Sequence, residues 1–320
     1  MKYLLSAVAL AAGLSAAPAM ADNWPSQPIR LLLPVAPGGS ADASARLIQN
    51  GLQKILGQPI VIENRSGAAG TISTEAIARA KPDGYTLGIV FTGHAANPWL
   101  LPKLPYDSEK DFTPIAFFWR ASLGISVHKD APYRTLNDLV QAAKAKPGAI
   151  SFATGGLGQA THIAAAQLES AAGITLNHVP YRGGSPAVAD VVAGHVPVLS
   201  SGTGLASTYI DTGALRLLAV TSATRSGLYP QVPTVAEAGY KGVDMSEWYG
   251  FVGPANLPPA IVNRMNAAIQ QVLQQPEVLA QFAKWDMGTQ AMTPAEFGSY
   301  LAEQTRRMGA IVKSANIKAQ

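Results

Sequence analysis

Strand-length apolar runs alternate with longer segments of helical period along most of this chain, and this alternation constrains its fold more than any other feature. The run at residues 29–35 is apolar apart from Arg30, as expected for a strand that is largely buried on both faces. Further runs of strand length lie at residues 60–63, 85–91, 115–127, 150–153 and 215–221. Such alternation is typical of an α/β protein in which helices cover a sheet of parallel strands.

Proline and capping residues mark the helices near the C-terminus. Pro258 and Pro259 precede a segment of helical period at residues 260–273, and proline is tolerated in the first turn of a helix. Thr293 and Glu296 have the spacing of an N-cap residue and an N3 glutamate, which predicts that a final helix begins there. We therefore expect the chain to end in helices that cover a sheet.

The N-terminus has the features of a secretory signal peptide. Lys2 precedes an apolar run at residues 3–14, and Ala19-Met20-Ala21 matches an A-x-A cleavage site. The apolar run is shorter than the roughly 20 residues that a membrane-spanning helix requires. We expect export to the periplasm, with cleavage after Ala21.

Composition and motifs exclude several classes of function. The chain has no cysteine, which excludes disulfides, thiol catalysis and cysteine-ligated metal sites. Its 24 basic and 20 acidic residues are dispersed, which argues against a nucleic-acid partner. The Gly-x-Gly-x-x-Gly and Gly-x-Ser-x-Gly motifs are absent, and the five histidines have no recognised zinc spacing. We expect no catalytic residue, no metal and no cofactor.

The domains are expected to interleave, because no repeat or low-complexity linker separates two consecutive units. After a signal peptide at residues 1–21, we expect one lobe to comprise residues 22–123 and 245–320. The second lobe is expected to comprise residues 124–244.

Three glycine-rich turns each lie between a predicted strand and a predicted helix. Glycines allow a tight turn, and the start of a helix offers unpaired N–H groups that attract an anion. Ligands of open α/β sheets bind beyond the carboxyl ends of strands, where these turns should lie. For the first turn, a plain turn capped by Ser40 or Asp42 is the alternative. The candidate ligand-binding residues in these turns are Pro37, Gly38, Gly39, Ser40, Ala41, Asp42, Thr154, Gly155, Gly156, Gly158, Gln159, Tyr181, Arg182, Gly183, Gly184 and Ser185.

Six further side chains lie close to these turns in the predicted fold. They follow a strand, sit on the first turns of a helix or lie in the segment at residues 248–253 that is expected to return to the first lobe. For each of them, capping or core packing is the alternative to ligand contact. These residues are Thr92, His94, His162, Asp190, Ser201 and Trp248.

The same segments carry a resemblance to a known family. The matching motifs include Pro37-Gly38-Gly39, Ser66-Gly67-Ala68-Ala69-Gly70, Lys81-Pro82-Asp83-Gly84-Tyr85, Val179-Pro180-Tyr181-Arg182-Gly183-Gly184 and Trp248-Tyr249-Gly250. In this order, and over nearly the whole mature length, the chain resembles the Bug-type periplasmic receptors, the solute-binding proteins of tripartite tricarboxylate transporters.

The resemblance implies a two-lobed periplasmic-binding-protein type II fold, the Venus flytrap, with a ligand cleft between the lobes. It also implies that residues 37–42 and 181–185 grip a small carboxylate, and that a membrane permease is the partner. An orphan or sensory ligand-presenting protein is one alternative, and a periplasmic enzyme acting on small acids is another. A monomer is the simpler expectation. The sequence departs from the family pattern at Pro197 and at Ile72-Ser73, outside the predicted anion-binding turns.

Overall fold

The computed structural model describes residues 23–315 and 317, so the predicted signal peptide and its cleavage site lie outside the described residues. In this part of the chain, strands and helices alternate as the sequence predicts. The elements in chain order are β1 (Ile29–Leu33), α1 (Ser40–Leu56), β2 (Ile60–Asn64), α2 (Thr71–Ala78), β3 (Thr86–Phe91), α3 (Thr92–Leu100), β4 (Phe112–His128), α4 (Leu136–Ala145), β5 (Ser151–Thr154), α5 (Ala160–Ala172), β6 (Asn177–Pro180), α6 (Gly184–Val192), β7 (Val198–Gly202), α7 (Thr203–Asp211), β8 (Leu215–Val220), β9 (Ser246–Pro254), α8 (Pro259–Leu273), α9 (Pro276–Lys284), β10 (Met287–Gly288) and α10 (Pro294–Ser314).

The first group of strands mixes parallel and antiparallel pairs. Strand β1 lies between β2 and β3, and all three strands are parallel. Strand β9 then pairs antiparallel with β3, and β4 pairs antiparallel with β9. The segment at residues 248–253, which was expected only as a crossing between lobes, is thus part of a central strand.

Strand β4 joins this first group to a second one. Its residues from Phe112 to Ser122 pair with β9, whereas those from Leu123 onward pair with β7 and β8. Beyond β7, strands β5 and β6 continue the second group in parallel. The chain therefore passes from one group to the other within a single long strand, at Ser122 and Leu123.

Helix α1 shows how sequence pattern and packing agree. Its apolar residues at 41, 45, 48, 52 and 56 recur at helical spacing and are buried in a core shared with β1, β3 and α8. Burying a leucine or isoleucine side chain contributes about 1.5–3 kcal/mol, so this one face supplies much of the helix's stability. Gly57 ends the helix in the left-handed conformation, with φ at 75°.

The C-terminal helices begin where the sequence predicts. Helix α8 starts at Pro259, and the Thr293 hydroxyl accepts a hydrogen bond from Glu296 N while the Glu296 side chain accepts one from Thr293 N. The predicted capping box is therefore present.

Residues 92–94 directly follow β3 and form the first turn of α3. Pro98 lies inside this helix and removes one backbone hydrogen bond. Ala95, Ala96 and Leu100 are nevertheless buried in a core shared with α10. This burial outweighs the local cost of the proline, and sequence pattern alone did not reveal it.

Candidate functional site

The carboxyl ends of β1, β2 and β3 lie at one edge of the first group of strands. The turns that follow β1 and β2 are in contact there: a Cβ atom added to Gly70 would lie 3.3 Å from Pro34 Cβ and 2.6 Å from Phe91 Cε1. Phe91 is the last residue of β3. The predicted first turn therefore shares this edge with a second turn, at residues 65–70.

The start of α1 offers backbone N–H groups to a ligand. Gly39 is the N-cap residue, and no side chain caps this helix. The first hydrogen bond of the helix runs from Ala43 N to Gly39 O, so the N–H groups of Ser40, Ala41 and Asp42 have no acceptor among the described residues. With the positive end of the helix dipole, they form a site that suits an anion.

The Asp42 side chain holds the first turn in place and is only 4% exposed. Its carboxylate accepts hydrogen bonds from Gly38 N at 3.0 Å, Arg46 Nε at 3.0 Å and Asn64 Nδ2 at 2.9 Å. Burial raises the pKa of Asp42, but the bonds from Arg46, Gly38 and Asn64 outweigh burial and bring the pKa below its usual value. In this arrangement the side chain positions Gly38, and its oxygens are already engaged by donors of the protein.

In the second predicted turn, at residues 154–159, all three glycine N–H groups donate hydrogen bonds to nearby side chains. Gly155 N donates to Thr161 Oγ1 at 3.1 Å, Gly156 N to Thr154 Oγ1 at 3.2 Å, and Gly158 N to His162 Nδ1 at 3.3 Å. The N–H groups of Ala160 and Thr161, which open α5, have no acceptor in the described structure.

The second and third turns lie side by side, because they follow the neighbouring parallel strands β5 and β6. Gly183 N donates to Gly155 O at 3.0 Å, and a Cβ atom on Gly155 would lie 3.4 Å from Gly184 N. No side chain caps α6, so the N–H groups of Gly184 and Ser185 at its start lack an acceptor in the described part of the chain. Two helix starts, those of α5 and α6, therefore open next to each other.

The second turn also contacts the first group of elements. A Cβ atom added to Gly158 would lie 3.2 Å from Leu100 Cδ1, at the end of α3. The second turn thus lies against the C-terminal end of α3, a helix that follows a strand of the first group.

A pair of stacked histidines supports the second turn. The rings of His162 and His178 are parallel to within 11°, with centroids 4.3 Å apart. His178 Nε2 lies 2.7 Å from Thr154 Oγ1, while His162 accepts the hydrogen bond from Gly158. Burial lowers the pKa of each ring to about 4, so both are neutral at neutral pH. They brace the turn without adding charge to it.

The side chains of Tyr181 and Asp190, in and after the third turn, are hydrogen-bonded to each other. The Tyr181 hydroxyl donates to the Asp190 carboxylate, and His195 Nδ1 lies 2.9 Å from the other carboxylate oxygen. Burial, together with the neighbouring Asp190 carboxylate, raises the pKa of Tyr181 to about 12. Arg182 is exposed and forms no ion pair with a described residue, so it is free to approach an anion.

Other candidate side chains lie in the core. His94 is 2% exposed, stacks on Tyr106 and lies 3.0 Å from Ser108 O. Trp248 is 1% exposed and packs edge-on against Tyr300. Packing, the alternative considered for each, accounts for both side chains.

Thr92 and Ser201 are also buried. Thr92 Oγ1 accepts a hydrogen bond from Trp248 N at 3.0 Å, and Ser201 Oγ donates to Gly202 O at 3.3 Å. The Thr92 hydroxyl therefore links the start of α3 to β9, whereas the Ser201 hydroxyl bonds to the backbone of its own strand, β7.

The turn at residues 65–70 was not among the predicted site residues. Gly67, Ala68, Ala69 and Gly70 all have positive φ angles, of 123°, 47°, 53° and 85°. A left-handed alanine costs about 1–2 kcal/mol, and strain of this kind concentrates at functional sites. Asn97 Nδ2 holds the turn by donating to Ala69 O at 3.1 Å. The sequence signals of this turn were its glycines and its match to a family motif, and neither reveals left-handed alanines.

Comparison with known proteins identifies the family. A model described as the tripartite tricarboxylate transporter family receptor matches residues 44–317, most of the chain. The chain belongs to this receptor family.

Curated relatives of the family align over nearly their full length. The "UPF0065 protein in tcbD-tcbE intergenic region" of Pseudomonas sp. (strain P51) is 35% identical over 99% of this chain and 95% of its own. Protein BugT of Bordetella pertussis is 33% identical over 95% of this chain and 94% of its own.

Solved structures of similar proteins share the fold. The periplasmic binding protein BugD has a TM-score of 0.86 at 29% identity, covering 93% of this chain and 100% of its own. An R. palustris protein solved with adipate has a TM-score of 0.88 at 29% identity, with the same coverage. MatC from Rhodopseudomonas palustris, solved with malate, has a TM-score of 0.84 at 30% identity, covering 90% and 100%.

Membership of the receptor family confirms two predictions made from the sequence. The chain has the two-lobed periplasmic-binding-protein type II fold, and it is a Bug-type solute-binding protein. Within the described residues, no helix combines the length and apolar character needed to cross a bilayer.

Proposed function

We propose that this receptor is an extracytoplasmic solute-binding protein that captures a small carboxylate between its lobes. The observation that carries the proposal is the set of helix starts without caps: α1 in the first strand group, and α5 and α6 in the second. Each presents N–H groups and the positive end of a helix dipole, which together can hold a carboxylate without a buried arginine.

The lobes are assigned as residues 22–123 with 245–320, and residues 124–244. The change of partners within β4, between Ser122 and Leu123, supports the first boundary. The second boundary lies one residue before β9, which returns the chain to the first group of strands.

The ligand class follows from the site and from the relatives. The relatives solved with adipate and malate both hold small dicarboxylates, which supports a carboxylate ligand here. The glycine at each N-cap, Gly39 for α1 and Gly183 for α6, lets a ligand approach the backbone closely.

The binding cycle follows from the two-lobed fold. Ligand drives closure only by binding the closed form more tightly than the open form. In this proposal the chain acts in the periplasm as a monomer after loss of residues 1–21. It presents the closed, liganded form to the membrane permease of a tripartite tricarboxylate-type transporter, and it does not transform its ligand.

Thermal unfolding of ligand-stripped protein, residues 22–320, tests the proposal. The panel contains mono-, di- and tricarboxylates, aromatic acids, amino acids and sugars. A ligand at 100 times its dissociation constant stabilises the folded state by about 2.7 kcal/mol, which raises the unfolding midpoint measurably. A selective shift with one class of acid is expected.

Gly39→Val, compared with Gly288→Val, locates the binding site. Gly39 has an ordinary φ of −83°, and the nearest atom to an added Cβ lies 3.9 Å away, so the fold has room for a valine side chain. That side chain is expected to hinder the approach of a ligand to the N–H groups of α1. Gly288 also has room for a side chain. The ligand shift should disappear in the first variant and persist in the second. A shift with a neutral or cationic compound, and none with any carboxylate, would refute the proposal.

A further inference from the structure

An acidic side chain, Glu247, lies at the edge where α1 begins. In the antiparallel pair of β3 and β9, Phe91 is the last residue of β3 and lies opposite Tyr249. Glu247 precedes Tyr249 by two residues, so it lies beyond the end of β3 and on the same face of the sheet as Tyr249. It therefore occupies the edge that the turns after β1 and β2 share.

This face of the sheet is the one that α1 covers. The ring of Tyr249 lies 5.8 Å from that of Phe91 and 4.3 Å from that of Trp119. Trp119 Nε1 in turn donates a hydrogen bond to Ser44 Oγ of α1 at 2.9 Å. Glu247 is thus on the α1 side of β9, at the edge toward which the start of α1 points.

The two carboxylate oxygens of Glu247 have different surroundings. The Tyr249 hydroxyl donates to Oε1 at 2.9 Å. Oε2 receives no hydrogen bond from a described residue, and it is not among the fully buried atoms that lack a partner, so part of its surface remains exposed. No lysine, arginine or histidine in the described structure forms an ion pair with this side chain. Burial raises the pKa of Glu247, and the bond from Tyr249 offsets only part of this effect.

An unpaired carboxylate is an unexpected neighbour for a site that attracts anions. It repels a second carboxylate placed next to it. Oε2 is also a strong hydrogen-bond acceptor, and leaving such an acceptor without a donor in a closed cleft is costly. A ligand that carries a hydroxyl or ammonium group near its carboxylate satisfies this acceptor, and an ammonium group also offsets the repulsion, whereas an unsubstituted acid does neither.

We propose that Glu247 determines ligand specificity by accepting, at Oε2, a hydrogen bond from a hydroxyl or ammonium group that the ligand carries beside its carboxylate. The ligand class is then a hydroxy acid or an amino acid. The inference rests on the proposed function, because the helix start must hold the ligand's carboxylate for Oε2 to meet the donor.

Calorimetric titration with matched acids tests the inference. One set is succinate, malate and aspartate, and the other is propionate, lactate and alanine; within each set only the donor group changes. For the set that binds, we expect the wild type to favour the hydroxyl or the ammonium member by about tenfold over the unsubstituted acid, as for one hydrogen bond to a charged group. Which member is favoured distinguishes the two donors.

Variants separate a ligand contact from a structural role. Glu247→Gln keeps the shape but removes the charge, so the preference should fall to about twofold or less, while affinity for succinate should rise as repulsion is relieved. Glu303→Gln, at an exposed position on α10, should leave the preference unchanged. Tyr249→Phe removes only the donor to Oε1 and should retain the preference.

The possible failures are distinguishable. Three outcomes overturn the role of Glu247 and leave the carboxylate receptor intact. They are an unchanged ligand preference in Glu247→Gln, a loss of preference in Tyr249→Phe equal to that in Glu247→Gln, and a wild-type preference for the unsubstituted acid. Absence of binding by every acid in the panel overturns the proposed function, and this inference with it.

Discussion

Replacing Asp42 by asparagine tests how the first turn is held. The Asp42 carboxylate accepts hydrogen bonds from Gly38 N, Arg46 Nε and Asn64 Nδ2, and none of these three groups can accept one in return. An asparagine amide has one oxygen, so its NH₂ group must face at least one donor, whichever way it is turned. A hydrogen bond to a charged group contributes about 1.5–3 kcal/mol. Since the Arg46 side chain is 49% exposed, its share is reduced, and we expect a loss of about 2 kcal/mol in the free energy of unfolding.

Urea unfolding at neutral pH measures this loss, with Asp130→Asn as the control. Asp130 is exposed and pairs with Lys129, so its replacement should change stability little. The pKa of Asp42 is lowered in the folded state, so its contribution is present above the unfolded-state pKa and is lost as the pH falls through the folded-state pKa. The difference between wild type and Asp42→Asn should therefore shrink in acid. Equal midpoints for both proteins at neutral pH would refute the reasoning.

Two further predictions concern acid stability and packing. The His94 pKa is lowered by burial to about 4, so the unfolded chain binds a proton that the folded chain does not as pH falls below about 6.5. This costs about 2 kcal/mol at pH 5, and the drop in the free energy of unfolding between pH 7 and pH 5 should be smaller in His94→Gln; an identical drop would contradict the assignment. A Cβ atom on Gly204 would lie 1.8 Å from Trp285 O, whereas Gly288 has no atom within 4 Å of an added Cβ. Gly204→Ala should therefore destabilise the protein by about 2 kcal/mol or more, and Gly288→Ala should be tolerated; equal midpoints of the two variants would show that the backbone relaxes at Gly204.

Local signals predicted much of the fold from the sequence. Apolar runs located β1, β2 and β3 to within one or two residues at most of their ends, and the capping box marked the start of α10. These signals depend on neighbours a few residues apart, so they can be read without knowing the fold. Helix α3 has no comparable local signal, because it is stabilised by packing on α10, some 200 residues away in the chain.

The site was predictable in outline only. The sequence located the turns that precede α1, α5 and α6, since glycine turns between strands and helices are local patterns. It did not reveal that the N–H groups of Gly155, Gly156 and Gly158 already donate hydrogen bonds to side chains. Nor did it single out Glu247, whose importance depends on pairing between β3 and β9 across more than 150 residues of sequence.

A crystal structure of the receptor with the best acid from the panel tests the central claim most directly. The account predicts that one carboxylate of the ligand lies within hydrogen-bond distance, about 2.7–3.2 Å, of N–H groups at the start of α1 and at the start of α5 or α6. Ser40 and Ala41 would supply the first contacts, and Gly184 and Ser185 those from the opposite lobe. A ligand bound elsewhere, for example in the 450 Å³ hollow beside Asp211, Arg216 and Tyr229, would contradict it.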